Sequence, residues 1–300
     1  MTALSLLVFL ACHRHEDDQT STYIPSEVDD PGQPLDTGTG GGDDGGSTGG
    51  GSGLGEDGGG EGGTPADDTG PAETPPDTRT FAMLQVIAME VSDPSGILGD
   101  DTSYTSSLVL VHWERQDTQV TWTETLCDIE ASEVFGTETT FPDAFIDTMP
   151  VHTRQGSLSA AETGATLSAG PFTDLVGCDL ADPASDPLPE DPYESSVWDQ
   201  DDDGSPGVTV NIDQSIMGEG QVYVAQRNVS TLDGVVVATD RIEGYLIADS
   251  EQAILGATTW WLELETDPPV PVPDESYFVM QQVDDGTTCD DIIDQAGSLF

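Results

Sequence analysis

The chain has no lysine, and its six arginines face 58 acidic residues, a formal charge of −52 over 300 residues. A polymer this acidic repels phosphate backbones and anionic headgroups. That argues against nucleic-acid binding and adhesion to acidic lipid, and favours divalent cations or basic partners. Helical periodicity is missing until Asp290 to Gln295, where a single closing turn is expected. No apolar stretch reaches the roughly twenty residues that a membrane-crossing helix needs. Only four cysteines are present, too few for a disulfide-dense scaffold.

What is present at the N-terminus is the short apolar run Leu4-Ser5-Leu6-Leu7-Val8-Phe9-Leu10-Ala11, closed by Cys12. Its length suits a signal-peptide core and not a spanning helix. Ala11 before Cys12 resembles the bacterial lipoprotein cleavage site. There a small residue precedes the cysteine whose thiol receives diacylglycerol. The resemblance implies removal of the segment before Cys12, lipid attachment at Cys12, and residence in the bacterial cell envelope, at the outer membrane. Acyl chains contribute roughly 0.8 kcal/mol per buried methylene, enough to hold a chain on a membrane when more than one is present.

Residues 13–78 read as a disordered acidic tether. Between Asp29 and Asp77, Leu35 and Leu54 are the only large apolar residues, and eighteen of the 34 glycines fall between Gly32 and Gly70. Such a segment buries too little surface to offset its ordering entropy. A flexible coil of about fifty residues spans roughly 40 Å, and charge repulsion and proline lengthen it. The remaining residues, 79–300, hold 42 acidic residues against five arginines. The domain itself is therefore acidic, a composition that also suits solubility in a salty environment.

Residues 79–300 are expected to form an all-β domain, an antiparallel meander closing into a barrel or sandwich, with a possible subdivision at the proline-rich break 183–192. Thr118 to Leu126 alternates, with Val120, Trp122 and Leu126 on one face and Gln119, Thr121, Thr123 and Thr125 on the other. Ser107 to Trp113 precedes it across the turn Arg115-Gln116-Asp117, and Thr80 to Val91, apolar on both faces, is expected to be central. Further strands are expected at Val208 to Ile212, Gln221 to Arg227, Gly234 to Thr239, Ile242 to Ala248, Ala253 to Glu265 and Ser276 to Val283. Leu232-Asp233-Gly234 has hairpin-turn chemistry. In the strand reading of Ala253 to Glu265, Trp261 falls on the more polar face.

With Cys12 assigned to lipid, Cys127, Cys178 and Cys289 remain. Export implies one disulfide and one leftover thiol. Cys127 with Cys178 is the expected pair, since both close strand-like segments of the N-terminal half and each precedes an aspartate.

One stretch carries recognisable chemistry. Asp199-Gln200-Asp201-Asp202-Asp203-Gly204 contains Asp-x-Asp-x-Asp-Gly. Alternate aspartates converge hard oxygen ligands on one ion, and the glycine permits the sharp turn that brings the next carbonyl, from Ser205, inward. The stretch resembles the start of an EF-hand loop, with Asp199, Asp201 and Asp203 at its first, third and fifth positions. Val210 stands where that loop has its bidentate glutamate, and a strand follows, as in the calcium loops of extracellular modules. The expected ligand set for Ca²⁺ is Asp199, Asp201, Asp203, Ser205 and Asp213, with Glu194 an alternative to Asp213. The expected affinity is roughly 10⁻⁴ to 10⁻³ M. An acidic surface turn that binds nothing is the plainer reading.

The anchor, the Gly/Asp stalk, the arginine-only basic set, the Asp-rich loop with Gly207-Val208-Thr209-Val210, and Glu251-Gln252-Ala253-Ile254-Leu255-Gly256 together resemble the uncharacterised secreted lipoproteins of myxobacteria and related predatory bacteria. The resemblance implies an envelope location and assigns no activity. Three functions follow as expectations. The first is a surface-tethered module, binding or adhesive, with a structural calcium site, a membrane partner through its lipid, and an unidentified protein, glycan or small-molecule partner. The second is a calycin-like barrel holding a small apolar ligand, with Trp260 or Trp261 in its lining. The third is a carboxylate-dependent hydrolase, although no catalytic motif is present.

Overall fold

The computed structural model describes residues 77–93, 99–263 and 268–300. Cys12, the segment 1–12 and the tether up to residue 76 lie outside the described residues. The domain opens two residues before Arg79, inside β1 (Asp77–Val91). Ten further strands follow: β2 (Asp101–Gln116), β3 (Gln119–Ala131), β4 (Thr137–Thr140), β5 (His152–Leu158), β6 (Thr166–Val176), β7 (Val208–Gln214), β8 (Gly218–Ala238), β9 (Arg241–Ala257), β10 (Val270–Pro271) and β11 (Tyr277–Val283). Among the described residues there are two α-helices, α1 (Asp143–Thr148) between β4 and β5 and α2 (Cys289–Leu299) after β11.

Every pairing between these strands is antiparallel. The order β8-β6-β5-β3-β2-β1-β11-β9 returns to β8 through the β8–β9 pair, so eight strands close into a barrel. Closure satisfies edge hydrogen bonds that an open sheet would expose. β1 lies between β2 and β11, the central place its apolar faces predict. The second half of β8 pairs with β6 in the ring, while its first half pairs with β7, and β4 extends the sheet beyond β7.

Expected strand limits are corrected in β8 and β9. Leu232-Asp233-Gly234 is not a turn, because β8 runs through it and Gly234 pairs with Gly244 of β9. A Cβ on Gly244 would come within 2.4 Å of the Gly234 Cα, and one on Gly234 within 2.7 Å of the Phe278 ring. Close approach of two strands and an aromatic ring, not chain reversal, selects glycine here. Reversal comes at Thr239 and Asp240, between β8 and β9. The strands expected at Ile242 to Ala248 and Ala253 to Glu265 are one, β9, which pairs with β8 through Asp249 to Gln252, ends at Ala257 and is followed by a 3-10 turn at Trp260–Glu263. Trp260 is exposed, and Trp261 packs against the cluster around Val222 and Val224.

Side chains from β1, β2, β3 and β11 fill one half of the barrel. Trp113 stacks on Trp122 with ring centroids 5.4 Å apart, Phe81 meets Trp113 edge-on, and Met83, Phe278 and Met280 complete the packing. On the outer wall, α2 covers Ala82 and Cys127 through Ile292. Thr288 starts α2 with a capping box, its hydroxyl accepting from the Asp291 N–H while the Asp291 carboxylate accepts from the Thr288 N–H. No helix of the described residues is long and apolar enough to cross a membrane.

Cys127 is bonded to Cys289, which corrects the expected Cys127–Cys178 pair. Cys178 is a free, buried thiol. The reason is topological. Cys127, at the β-bulge of β3, lies beneath α2. Cys178 follows β6, beyond the intervening β5, and packs with Leu180, Leu188, Ala225 and Leu255.

Candidate metal centre and barrel cavity

The connection from β6 to β7, residues 177–207, covers β8 and β9 through Leu180 and Leu188. The break expected at 183–192 is therefore a long loop. Its far end is pinned. The Trp198 N–H donates to the Gly177 carbonyl (3.1 Å) and the Gln200 N–H to the Gly207 carbonyl (2.9 Å). The buried Gln200 amide oxygen accepts from the Gly177 N–H at 2.8 Å. Residues 199–206 thus leave the body as a closed turn, which Asp202 (φ 55°) and Gly204 (φ 89°) make possible by entering left-handed backbone space.

Within the turn the aspartates point inward. Asp199 accepts the Asp203 N–H on Oδ1 (3.2 Å) and the Gly204 N–H on Oδ2 (3.0 Å). Asp203 accepts the Ser205 N–H on Oδ1 (2.7 Å) and the Thr209 hydroxyl on Oδ2 (2.6 Å). Asp201, only 5% exposed, accepts the Thr209 N–H on Oδ2 at 2.8 Å, but its Oδ1 is buried without a hydrogen-bond partner. One oxygen from each of the three carboxylates lies within 4.8 Å of the others, so the trio can hold a metal ion.

The electrostatics single out the same residue. Burial pushes the Asp201 carboxyl up, and the charges of Asp203 and Asp199 push it further, against the Thr209 N–H. For Asp203 burial acts upward too, but hydrogen bonds from the Thr209 hydroxyl and from Ser205 outweigh it and hold the group below the usual range. Asp201 is the group whose charge calls for a counter-charge.

The rest of the expected ligand set falls differently. Ser205 meets the cluster through its N–H. Asp213 is not part of it. Asp213 lies near the far end of β7, opposite Glu219 of β8 and Glu138 of β4, and about 13 Å of extended strand separates it from Thr209. The Glu194 carboxylate accepts the Glu190 and Asp191 N–H groups in its own turn. Two residues escaped the sequence reading, Thr209, which holds both Asp201 and Asp203, and Gln200, which roots the loop. Thr209 sits inside the strand pattern and Gln200 between two ligands, where neither has a signature.

A second constellation lies in the other half of the barrel, in a cavity of about 200 Å³ whose lining includes Phe145 of α1 and Met149 just after it. Arg154 on β5 donates through Nε to Glu124 of β3 (3.1 Å) and through both terminal nitrogens to Asp174 of β6 (3.0 and 2.6 Å). Its guanidinium also lies 4.6 Å from the Phe172 ring centroid. His152 Nδ1 is 3.1 Å from Asp174 Oδ1, and Trp122 Nε1 donates to Glu124 Oε1 at 2.6 Å. On the facing strands Gln226, Asn228 and Ser250 form a hydrogen-bonded trio. Neither Trp260 nor Trp261 lines this space. The readable signal was Glu124, a charge in the inward phase of β3 between Trp122 and Leu126.

Each of the five described arginines is in an ion pair. Comparison with known proteins finds no matching family model, no matching curated protein and no matching solved structure.

Proposed function

We propose that the chain is a bacterial envelope lipoprotein, held at the outer membrane through Cys12 and residues 13–78, whose acidic β-barrel is a binding or adhesive module braced by Ca²⁺ at Asp199, Asp201 and Asp203. One observation carries the calcium assignment. Asp201 Oδ1 is buried and unpartnered, in a trio where one oxygen of each carboxylate lies within 4.8 Å of the others. A buried carboxylate oxygen without a partner is costly, and a cation relieves that cost. Ligand distances of roughly 2.3 to 2.6 Å let oxygens on opposite sides of Ca²⁺ stand about 5 Å apart, which accommodates the observed spread. Mg²⁺, at roughly 2.1 Å, would draw them to within about 4.2 Å and keep more of its water. Ion pairing of the described arginines supports the exclusion of nucleic acid as partner.

Thermal unfolding of the full chain in EDTA, then with millimolar Ca²⁺ or Mg²⁺, tests the site. Saturation at a hundredfold the dissociation constant adds about 2.7 kcal/mol. Half-exposed Trp198, next to Asp199, should sensitise Tb³⁺ luminescence that Ca²⁺ displaces. Equal melting in EDTA and Ca²⁺, with no Tb³⁺ signal, removes the site. Cys12→Ser should release the protein from the membrane fraction, and continued sedimentation with membranes overturns the anchor.

A second reading, the barrel as a container for a small ligand, is favoured by one observation. One half of its interior holds a cavity of about 200 Å³ with polar groups in its lining, where the other half is filled by the stacked Trp113 and Trp122 and leaves about 90 Å³ at its mouth.

A further inference from the structure

The cavity lining is of two kinds. Ile87, Met89, Leu126 and Ile129, with Phe141 and Phe145, make part of it apolar, and the last two rings are 5.7 Å apart. Glu124, Arg154, Asp174 and His152, with Asn228 and Ser250, make the rest polar. Among the described residues no other charged side chain lines the space. Two carboxylates therefore face one guanidinium, with the His152 imidazole within hydrogen-bonding distance of one of them.

The hydrogen-bond inventory shows which sign of ligand this lining suits. Arg154 uses three of its five N–H donors, one at Nε and one at each terminal nitrogen, and its face is against Phe172. Its single positive charge is opposed by two carboxylates, which disfavours an anion. A carboxylate oxygen accepts two hydrogen bonds. Glu124 Oε1 takes one, from Trp122, and Oε2 one, from Arg154, while Asp174 Oδ2 takes one, from Arg154. Three carboxylate oxygens thus retain acceptor capacity. Thr105 adds a fourth acceptor on the cavity lining, 5% exposed with its hydroxyl oxygen buried and unpartnered.

We propose that this cavity binds a small organic cation, a protonated amine on a short apolar or aromatic body, with the ammonium donating to Asp174 and Glu124 and the body against Phe141, Phe145 and Met89. This deepens the reading of the barrel as a binding module and rests on it. Excess carboxylate charge beside aromatic faces is the recognition chemistry of ammonium groups. Size narrows the class. A cavity near 150 Å³ takes benzene, so one of about 200 Å³ takes a ligand of roughly six to ten non-hydrogen atoms.

Benzylamine, benzyl alcohol and benzoate share a ring and differ in the charge they bring. Calorimetric titration of the full chain at 0.15 M salt, where exposed charges more than about 8 Å apart are screened, should give saturable one-to-one binding of benzylamine. The alcohol should bind at least about tenfold more weakly and benzoate not at all. Asp174→Asn should weaken benzylamine by about tenfold. Ala248→Phe, which fills the lining from β9 without touching a charge, should abolish binding in a protein that still melts cooperatively. Tighter or equal binding of the alcohol or of benzoate overturns the cation assignment while leaving the barrel a container. Failure of all three probes, non-saturating uptake, or binding undiminished by Ala248→Phe overturns the site itself.

Discussion

Asp201 gives one carboxylate oxygen to the backbone N–H of Thr209, at 2.8 Å, and keeps the other buried without a partner. The first strand residue after the loop but one thus fixes the middle ligand. The contact orients Asp201 but leaves its charge uncompensated, so the two forms of this side chain should behave oppositely with and without cation. Asp201→Asn keeps a carbonyl oxygen for the Thr209 N–H and removes the buried charge. In EDTA it should change stability by less than about 1 kcal/mol, or raise it, since a buried charge is lost and no hydrogen bond is. In saturating Ca²⁺ it should forfeit most of the roughly 2.7 kcal/mol that the wild type gains. Paired melting curves decide. A variant much weaker in EDTA that retains the full calcium increment would assign Asp201 to the fold and not to a cation.

The Cys127–Cys289 bond spans 162 residues of sequence and holds α2 on the outer wall of the barrel. In the chain-entropy account a closed loop this long adds close to the upper end of about 2 to 5 kcal/mol. Cys289→Ser should lower unfolding stability by that order, with early loss of amide protection across residues 289–299 and little change in the tryptophan-stacked half of the barrel. Loss of protection spread evenly over every strand would mean that α2 and the barrel unfold as one unit even without the bond.

How far the sequence carried can be traced residue by residue. The Asp-x-Asp-x-Asp-Gly spacing was legible because its chemistry is local, as was the alternation of β3, where one face packs and the other is solvated. Asp213 was misjudged because distance along a strand is invisible until the register is known. The cysteine pairing failed for a related reason, since proximity in three dimensions followed α2 and not sequence style. Both β8 and β9 look like two strands in the sequence, β8 because glycine marks turns more often than close strand crossings, and Gly234 serves the second purpose. Strands β5 and β6 were missed altogether. Their inward positions include Arg154 and Asp174, so the period-two signal vanishes where the cavity lies.

Burial pushes the Cys178 thiol up to about 11, with Asp179 adding to the shift and Arg227 opposing it. An acid whose folded value is raised contributes no pH dependence below its unfolded value, about 8.5 for a thiol. Between about 8.5 and about 11 the unfolded chain releases its proton first, so this group's contribution to stability falls as pH rises through that window. The native protein should resist iodoacetamide at pH 8 and react on the timescale of unfolding. Cys178→Ala should flatten the alkaline slope of stability in EDTA. Rapid alkylation of the native fold at pH 8 would show that the thiol is not enclosed by Leu180 and Leu188.

The Glu124–Arg154–Asp174 network is buried enough that breaking it and removing it should have very different costs. Arg154→Met keeps an apolar contact for Phe172 but strands two carboxylates in the barrel, and losing one partner of a buried pair costs about 3 to 5 kcal/mol. The triple change Glu124→Gln, Arg154→Met, Asp174→Asn removes every charge together, and such replacements are often near neutral in stability. Chemical denaturation of the single and triple variants should therefore show the triple variant recovering most of what the single one loses. The two would fall equally if the network shaped the barrel through geometry alone. Recovered stability together with loss of benzylamine binding in the triple variant would separate the two roles, because a fold that tolerates neutral groups at these positions has no structural need of the carboxylates, and their retention then answers to the ligand.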